Sequence, residues 1–313
     1  MNKLKKVGLT ALGTALVSST AMAAEFTVTG GANLVFDGGD HRDIGNGWST
    51  SDTLTFSASA DLDNGWTVTG TQGLVNGGSD GRTTAIDMGD MGTLTFEAND
   101  SGGPVESTDD MMPHANEESW SEVGTVTAAA HGAGDAAGSF RYTNSTIVDG
   151  LTFTAFHQPS SAGTGSSEEY GFAYSPEQFE GLTVGYAFGD NEDAGEAATI
   201  ESENIYATFA YENVTVGYQT NETDSEVAGG DSEFMAYGVS YAITEDLSIS
   251  LNHSEVEHDT AAEEDQEATA IGVSFTSGGV TVAASHHNVD GVAGSTADSA
   301  DRTGYEIVFS FAF

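Results

Sequence analysis

Two stretches of the sequence combine residue types that bind metal ions, and the first is HSEVEH. On a strand it would place His253, Glu255 and Glu257 on one face, whereas His258 would point away from them. Imidazole and carboxylate groups are metal ligands, but this spacing supports no defined ligand geometry. Exposed polar residues at a loop end are the interpretation we favour, so no metal is predicted here.

The second stretch, DGGDHRDIGNG, offers oxygen ligands for Ca²⁺. Its carboxylates are Asp37, Asp40 and Asp43. Calcium prefers such oxygen donors, but the stretch lacks the spaced loop with a closing glutamate that a dedicated site uses. Weak calcium binding is therefore the only cofactor that the sequence suggests.

Catalytic chemistry has no supporting pattern in this chain. Neither a Ser/His/Asp arrangement nor the G-x-S-x-G motif of hydrolases occurs. The chain also has no cysteine, which excludes disulfides, thiolate zinc sites and cysteine nucleophiles. We therefore expect a protein that is not an enzyme.

The N-terminus has the pattern of an export signal. MNKLKK carries three lysines, an uncharged apolar stretch follows, and Ala21 and Ala23 stand at the spacing of a cleavage site. Because the apolar stretch is too short to span a membrane, residues 1–23 are predicted to be a secretory signal peptide. An amphipathic helix of the mature protein is the alternative. Residues 24–313 are expected to be exported from the cytoplasm.

The mature chain is strongly acidic. It keeps only four basic residues, all arginines, against 49 aspartates and glutamates. Binding to nucleic acid requires a basic surface that this chain cannot form, so nucleic-acid partners are excluded. The acidity either concentrates cations near a binding or transport site, or keeps the surface hydrated in high salt. The near absence of lysine indicates that hydration of the surface in high salt is at least part of the reason.

The side chains considered above must be positioned by short segments in which apolar residues alternate with small or polar ones. Five of them resemble one another at intervals of 31–33 residues, from GLTFTAFHQ at Gly150 to GVTVAASHHN at Gly279. Each begins after a tight turn and runs into an acidic stretch rich in glycine and serine. Over the whole chain the pattern predicts sixteen strands, at about 25–36, 50–62, 66–76, 82–88, 92–97, 138–144, 150–158, 168–175, 181–189, 202–211, 213–221, 233–242, 246–256, 267–275, 279–288 and 303–313.

This arrangement predicts an all-β fold closed into an antiparallel barrel. Seven short turns alternate with eight longer acidic loops, whereas a sandwich would mix the two lengths at both ends. Each strand has an apolar row, which would face lipid, and a small polar row, which would face a wetted lumen. The last strand should pair with the strand beginning at Glu25, because unpaired strand edges are costly in lipid. Its apolar row is Tyr305, Ile307, Phe309, Phe311 and Phe313.

Several stretches resemble the general porins of Gram-negative bacteria, most closely the alphaproteobacterial, Rhodobacter-type branch. They are the signal peptide, GDMGTLTFEAND, the long gap after it, SFRYTNS, GLTFTAFHQ and the final strand ending in phenylalanine. The resemblance covers the mature chain. It implies a sixteen-stranded, homotrimeric transmembrane barrel with short periplasmic turns, long extracellular loops and a third loop folded into the lumen. It also implies that Phe313 is the signal read by the outer-membrane assembly machinery.

The gap at about 98–137 is where the resemblance puts the constriction loop. In such porins, acidic residues of this loop face basic residues of the barrel wall. The alternative is that the acids are simply solvated loop residues. The acidic candidates are Glu106, Asp109, Asp110, Glu117 and Glu118.

The candidates for the basic wall are Arg141 and Arg82. Arg141 alternates with two aromatic neighbours, and because an arginine facing lipid at mid-depth costs about 2–4 kcal/mol, its side chain should face the lumen. The chain departs from the family in having so few basic residues. The field across the pore should therefore be weak or mostly negative.

The expected function is passive diffusion through the outer membrane. A polar lumen lets small hydrophilic solutes cross hydrated, the constriction limits their size, and the negative charge favours cations. Expected partners are two further copies of the chain, outer-membrane lipid and lipopolysaccharide, and the assembly machinery. Two alternatives stay open: a substrate-selective channel of the same fold, and a structural or adhesive surface protein whose acidic loops are the working part.

Overall fold

All sixteen predicted strands are found in the computed structural model, which describes residues 25–40, 46–98, 102–121, 138–160, 165–192, 199–226, 230–258, 264–297 and 301–313. The predicted signal peptide therefore lies outside the described residues. The strands are β1 Glu25–Gly39, β2 Trp48–Asp61, β3 Thr67–Val75, β4 Gly78–Asp87, β5 Thr93–Ala98, β6 Ser139–Val148, β7 Leu151–Gln158, β8 Ser167–Tyr174, β9 Leu182–Glu192, β10 Thr199–Tyr211, β11 Val214–Ser225, β12 Ser232–Ala242, β13 Leu247–His258, β14 Gln266–Ser277, β15 Val280–Asp290 and β16 Arg302–Ala312.

The described strands form a closed antiparallel barrel. Each strand pairs with its neighbours in the chain, and β1 pairs with β16, from Gly31 opposite Ala312 to Gly39 opposite Gly304. Phe313 extends this ladder, because its N–H donates to the carbonyl oxygen of Gly30 (2.8 Å) and its carbonyl oxygen accepts the N–H of Gly30 (2.9 Å). The predicted closure between the last strand and the first is confirmed.

The two rows of each strand meet opposite environments. On β11, the outward side chain of Tyr218 is 51 % exposed, whereas the next residue, Gln219, is fully buried inside the barrel. Phe309 and Phe311 of β16 are likewise exposed on the outer face. An apolar exterior around a polar interior is the inverse of a soluble sandwich and is the arrangement that suits lipid.

The connection between β3 and β4 differs from the predicted long loop. It is a two-residue turn, with φ angles of 50° at Asn76 and 74° at Gly77. Two successive positive φ angles fit the right-handed twist of a hairpin, and an Asn-Gly pair adopts them readily. The prediction of eight longer loops is therefore wrong at this position, and β4 begins at Gly78 rather than near residue 82.

Short 3₁₀ turns occur in three of the described connections, at Gly89–Met91, Glu106–Thr108 and Val292–Gly294. In the described residues, no helix is long and apolar enough to cross a membrane. The connection of greatest functional interest joins β5 to β6, because its described residues 102–121 lie inside the barrel.

Candidate functional site: the pore constriction

Residues 102–121, here called the third loop, lie against the inner wall of the barrel. The beginning of the loop is fixed by β8 and β10. The N–H of Val105 donates to the carboxylate of Glu169 (2.8 Å), and the side-chain amide of Asn204 donates to the carbonyl oxygen of Val105 (2.6 Å). All three residues are at most 1 % exposed. The third loop therefore starts as a packed part of the wall.

The middle of the third loop is held by β11 and packs on β12 and β13. The side-chain carbonyl oxygen of Gln219 accepts the N–H of Met111 (2.8 Å), and its amide donates to the carbonyl oxygen of Asp109. Met112 is buried in an apolar cluster with Phe234, Ala236 and Val256. Burial of a methionine or phenylalanine side chain contributes about 1.5–3 kcal/mol, so this cluster anchors the loop as well as shaping it.

The far end of the third loop reaches β13, β15 and β16. The N–H of Ala115 donates to the hydroxyl of Ser250 (2.9 Å). The amide of Asn116 donates to the hydroxyl of Ser285 and to the carboxylate of Glu306, both at 3.0 Å. The loop thus crosses the lumen side of the wall from β8 to β16.

Hydroxyl side chains on the inner faces of β1–β7 form a surface that we call the hydroxyl wall. The same inward rows also carry Asp61 and Asp87 near the short turns and the pair Glu97 and Arg141. The hydroxyl groups are neutral donors and acceptors, and all are half-buried or exposed, in contrast to the buried amides beneath the loop. A solute passing the loop therefore moves along this wall. Its residues are Thr27, Thr29, Ser51, Thr53, Thr55, Ser57, Ser59, Thr67, Thr69, Thr71, Thr83, Thr93, Thr95, Thr143 and Thr154.

The five acidic candidates of the third loop differ in their access to water. Glu106 and Asp110 are exposed, Asp109 and Glu117 are half-buried, and Glu118 is 5 % exposed. Burial raises the pKa of Asp109 to about 7, with the neighbouring charges of Asp110 and Glu106 adding to the effect. Partial loss of hydration inside the barrel, followed by repulsion from Glu118, raises the pKa values of Asp110 and Glu117 to about 7 as well, although Asp110 keeps part of its surface exposed. The negative charge of the loop therefore titrates near neutral pH.

His114 is a cationic residue inside the same loop. Its Nε2 atom lies 2.8 Å from a carboxylate oxygen of Glu118. This hydrogen bond raises the pKa of His114 to about 9, against the opposing effect of burial. Burial alone would raise the pKa of Glu118, but the hydrogen bond and the charge of His114 lower it below its ordinary value. Glu118 therefore stays ionised and its charge is offset locally.

Arg141 lies on the inward-facing row of β6. Its guanidinium is 3.1 Å from the carboxylate of Glu97 on β5 and also donates to the carbonyl oxygen of Gly102 at the start of the third loop. Its positive charge is thus offset by the carboxylate of Glu97 on the neighbouring strand. Arg141 joins the wall to the root of the loop, and the hydroxyl wall beside it carries no comparable cation in the described residues.

Arg82 does not lie in the pore constriction, contrary to the prediction. It stands opposite Gln72 and Ala98, in the row of β4 that continues with Thr84 and Ile86 on the outer face. The inward row of β4 contains Thr83, opposite the buried Glu97. The prediction put residue 82 at the loop end of β4, whereas the Asn-Gly turn starts the strand at Gly78, so that Arg82 lies within it and on its outward row.

The calcium candidates occupy separate environments. Asp37 is buried and faces inward opposite Glu306, whereas the carboxylate of Asp40 accepts the N–H of Thr303 (2.7 Å). Asp43 lies outside the described residues. Across the ranges that the structure describes, no group of three or more His, Asp or Glu side chains is placed to hold a metal ion. Calcium binding here stays a prediction.

The HSEVEH stretch lies at the loop end of β13. The ring of His253 packs on Tyr237 of β12, with centroids 5.1 Å apart, and its Nδ1 atom lies 3.2 Å from the hydroxyl of Thr269. Glu255 and Glu257 follow on the same outward row. Polar residues at the outer rim of the barrel account for this stretch.

Sequence reasoning missed His114 and the buried amides that hold the third loop. Asn204 and Gln219 each occupy the polar row of a strand whose other row is apolar. That alternation places them inward, but it does not show that a loop more than ninety residues earlier in the chain covers them. The histidine is separated from Glu118 by three residues, a helical spacing that the predicted irregular loop gave no reason to consider.

Comparison with known proteins agrees with this geometry. Residues 8–313 match the family model described as Gram-negative porin. Among solved structures, OmpF of Salmonella typhi in complex with daunomycin is 16 % identical, with a TM-score of 0.71 over 94 % of this chain and 100 % of that one. The trimer form of OmpT from Vibrio cholerae is 14 % identical, with a TM-score of 0.69 over 93 % and 100 %.

An anion-selective porin from Comamonas acidovorans is 13 % identical, with a TM-score of 0.68 over 93 % of this chain and all of the other. These structural likenesses concern the fold. A search among curated protein sequences gives no match. Because the family model covers nearly the whole sequence, the chain belongs to the Gram-negative porin family.

Proposed function

We propose that the protein is a passive diffusion channel of the outer membrane that passes small hydrophilic solutes and prefers cations. One observation carries the proposal: the acidic third loop runs through the lumen opposite a neutral hydroxyl wall. Hydroxyl groups can replace part of the hydration shell of a solute without holding it strongly. The passage therefore selects by size and by sign of charge.

The cation preference follows from the balance of charges at the constriction. Glu106, Asp109, Asp110 and Glu117 contribute negative charge, while Glu118 is offset by His114 and Glu97 by Arg141. A narrow region with one sign of charge raises the local concentration of counter-ions. The effect should weaken with salt, because the Debye length falls from about 10 Å at 0.1 M to about 3 Å at 1 M.

The sign of selectivity is a property of these side chains and not of the fold. The structurally similar porin from Comamonas acidovorans is anion-selective. With a shared barrel, the difference must come from charges along the passage. The third loop and the wall facing it are therefore the residues on which we base the cation preference.

We also propose that three copies of the chain associate, as in the trimer form of the similar OmpT. The outward Arg82 supports a contact there, because it shares a cross-strand row with Phe56 and Val28 of the apolar face. An arginine facing lipid at mid-depth would cost about 2–4 kcal/mol. A contact with a neighbouring copy removes this cost by supplying polar partners.

The family and the barrel support a location in the outer membrane. Export by the predicted signal peptide, contact with lipid and lipopolysaccharide, and recognition of Phe313 by the assembly machinery belong to the same proposal, as does membership of the alphaproteobacterial branch. The function requires no catalytic step and no cofactor. Transport is driven by the concentration gradient of a neutral solute and by the electrochemical gradient of an ion.

Liposome swelling tests the proposed channel. Vesicles containing the purified protein should swell in isotonic solutions of small neutral sugars, at rates that fall as the sugar grows. Protein-free vesicles serve as the control. A barrel that gives no sugar flux above this control would remove passive diffusion as the function and leave a structural or adhesive surface protein.

A further inference from the structure

We infer that the inner face of β8–β14 is a bed shaped to the third loop, and that Gly217 and Gln219 of β11 are positioning residues that set the width of the pore. The bed consists of wall glycines that make room for the loop and neutral amides that bind its backbone. The inference rests on the proposed channel function, because width has meaning only for a passage. It adds residues that no charge argument would select.

The glycines of the bed lie where the loop comes closest to the wall. A Cβ atom added at Gly217 would lie 2.6 Å from Cδ of Pro113 and 3.1 Å from Cε of Met112. One added at Gly171 on β8 would lie 2.7 Å from Cβ of Pro104. Carbon atoms pack at about 3.5–4.0 Å, so either substitution must push the loop away from the wall.

The same relation recurs further along the loop. A Cβ atom at Gly272 on β14 would lie 2.7 Å from the hydroxyl of Ser250, which accepts the N–H of Ala115, and 3.3 Å from the backbone nitrogen of Asn116. At Gly238 on β12 it would lie 3.3 Å from the carbonyl oxygen of Pro113. Four strands thus lack a side chain on the inward row at the points that the loop covers.

Other strand glycines do not contact the third loop. A Cβ atom added at Gly70, on the outward row of β3, meets no heavy atom within 4 Å. At Gly185 and Gly189 of β9 an added Cβ atom would meet side chains of the wall itself, those of Tyr206 and Glu169. The approaches to the loop are those at the inward glycines that the loop covers.

The amides of the bed complete the attachment. The side-chain amide of Gln219 makes two hydrogen bonds to the loop backbone. Its oxygen accepts the N–H of Met111, and its nitrogen donates to the carbonyl oxygen of Asp109. Asn204 donates to Val105 and, at 3.1 Å, to the hydroxyl of Thr108. Because a buried donor or acceptor that loses its partner is costly, these amides favour one loop position over displaced ones.

Neutral amides and glycines do not titrate. The position of the middle of the loop should therefore stay fixed over a pH range in which Asp109 and Asp110 change their charge. Charge selectivity and pore width are thereby controlled by separate sets of residues. Altering the bed should change the width and the steadiness of the open current without reversing the preference for cations.

The experiment compares Gly217→Ala and Gln219→Met with two control variants, Gly70→Ala and Asn288→Met. Asn288 is an outward-facing, exposed amide of β15, outside the lumen and the contacts of the third loop. Single-channel current in planar bilayers should show loss of the parent's uniform conductance level in both bed variants, with a lower level or frequent closures for Gly217→Ala. The two controls should keep the parent level.

A second readout reports the loop directly. Since the chain has no cysteine, nitroxide labels on Asp110→Cys and Thr55→Cys would give the distance across the lumen in each background. Gly217→Ala should shift this distance distribution, and Gln219→Met should broaden it. Gly171→Ala replaces Gln219→Met if that variant does not fold.

Unchanged conductance and unchanged label distances in the bed variants would overturn the inference, even if the parent is an active channel. A parent that carries no current would instead contradict the proposed function. The label distances would still show whether the bed residues fix the position of the third loop. A shift in the bed variants together with parent-like controls supports the inference.

Discussion

His114 and Glu118 of the third loop form an ion pair, with 2.8 Å between Nε2 and a carboxylate oxygen. The pair places a positive charge beside the acidic residues of the constriction, and the lowered pKa of Glu118 keeps its carboxylate ionised near neutral pH. Repulsion from that carboxylate contributes to the raised pKa values of Asp110 and Glu117. The charge that a passing ion meets is therefore set by pH in an unusual range.

The cation preference should fall as the pH is lowered through about 7. Asp109, Asp110 and Glu117 have pKa values raised to about 7, so each is charged above this pH and neutral below it. Ordinary carboxyl groups would respond only near pH 4. His114, with a pKa of about 9, stays positive throughout this window. Reversal potentials measured between pH 8 and pH 5 would follow the change.

Glu118→Gln provides the control for this pH dependence. Removing the carboxylate takes away the largest repulsion acting on Asp110 and Glu117, so the midpoint of the pH profile should move to lower pH. The outward-facing Glu222→Gln should leave the midpoint in place. A parent profile that is flat between pH 8 and pH 6 would contradict the raised pKa values.

Arg141 should matter more for stability than for ion selectivity. Arg141→Met removes the ion-pair partner of the buried Glu97 and a donor to the carbonyl oxygen of Gly102. Loss of a hydrogen bond to a buried group costs about 1–3 kcal/mol, so the urea concentration at the midpoint of unfolding should decrease. Ion selectivity should change little, because Glu97 already offsets the charge.

The double variant Arg141→Met with Glu97→Gln separates these effects. It removes both charges and should recover part of the lost stability, since the charge of Glu97 is then removed together with that of Arg141. A large rise in cation preference in Arg141→Met with unchanged stability would show instead that this arginine acts as an exposed cation of the pore.

Arg82 tests the proposed contact between copies of the chain. Arg82→Leu should weaken the trimer, because the guanidinium loses its polar partners in the neighbouring copy, and the fraction of trimer after graded heating in detergent would show this. If Arg82 faces lipid, the leucine should stabilise the barrel by about 2–4 kcal/mol and leave the trimer intact. Arg302→Gln at the rim provides a control.

Phe313 takes part in closing the barrel and is also the predicted assembly signal. Its backbone makes two hydrogen bonds to Gly30, and its ring is exposed on the outer face. Phe313→Ala keeps the backbone pairing, so purified variant protein should refold and conduct like the parent. Its amount in the outer membrane of expressing cells should nevertheless fall severalfold. Normal amounts in the membrane would show that the side chain is not the signal.

The barrel could be predicted from the sequence because the alternation of apolar and polar residues along each strand is a local pattern. All sixteen strands and the closure between β1 and β16 follow from side-chain period and turn residues, read without knowledge of distant contacts. Arg82 was assigned to the wrong face because its assignment depended on where β4 begins. The turn at Asn76 and Gly77 carries that information, whereas the alternation alone predicts a strand to about residue 76 and a loop to about 81.

The course of the third loop could not be predicted in the same way. The hydrogen bond between Met111 and Gln219 joins residues 108 positions apart. Pro113 lies next to Gly217, which is about as far along the chain. Such contacts depend on the curvature of the closed wall. The acidic residues were found from composition and resemblance, whereas their partners, pKa values and exposure required the structure.

The most direct test of the account is the reversal potential across a planar bilayer separating two concentrations of KCl, both dilute enough to limit screening. At pH 8 the dilute compartment should become positive, because K⁺ crosses more readily than Cl⁻, and the potential should diminish as both concentrations are raised at a constant ratio. A negative dilute compartment would mean preference for anions. That result would contradict the assignment of the acidic third loop as the element that selects ions.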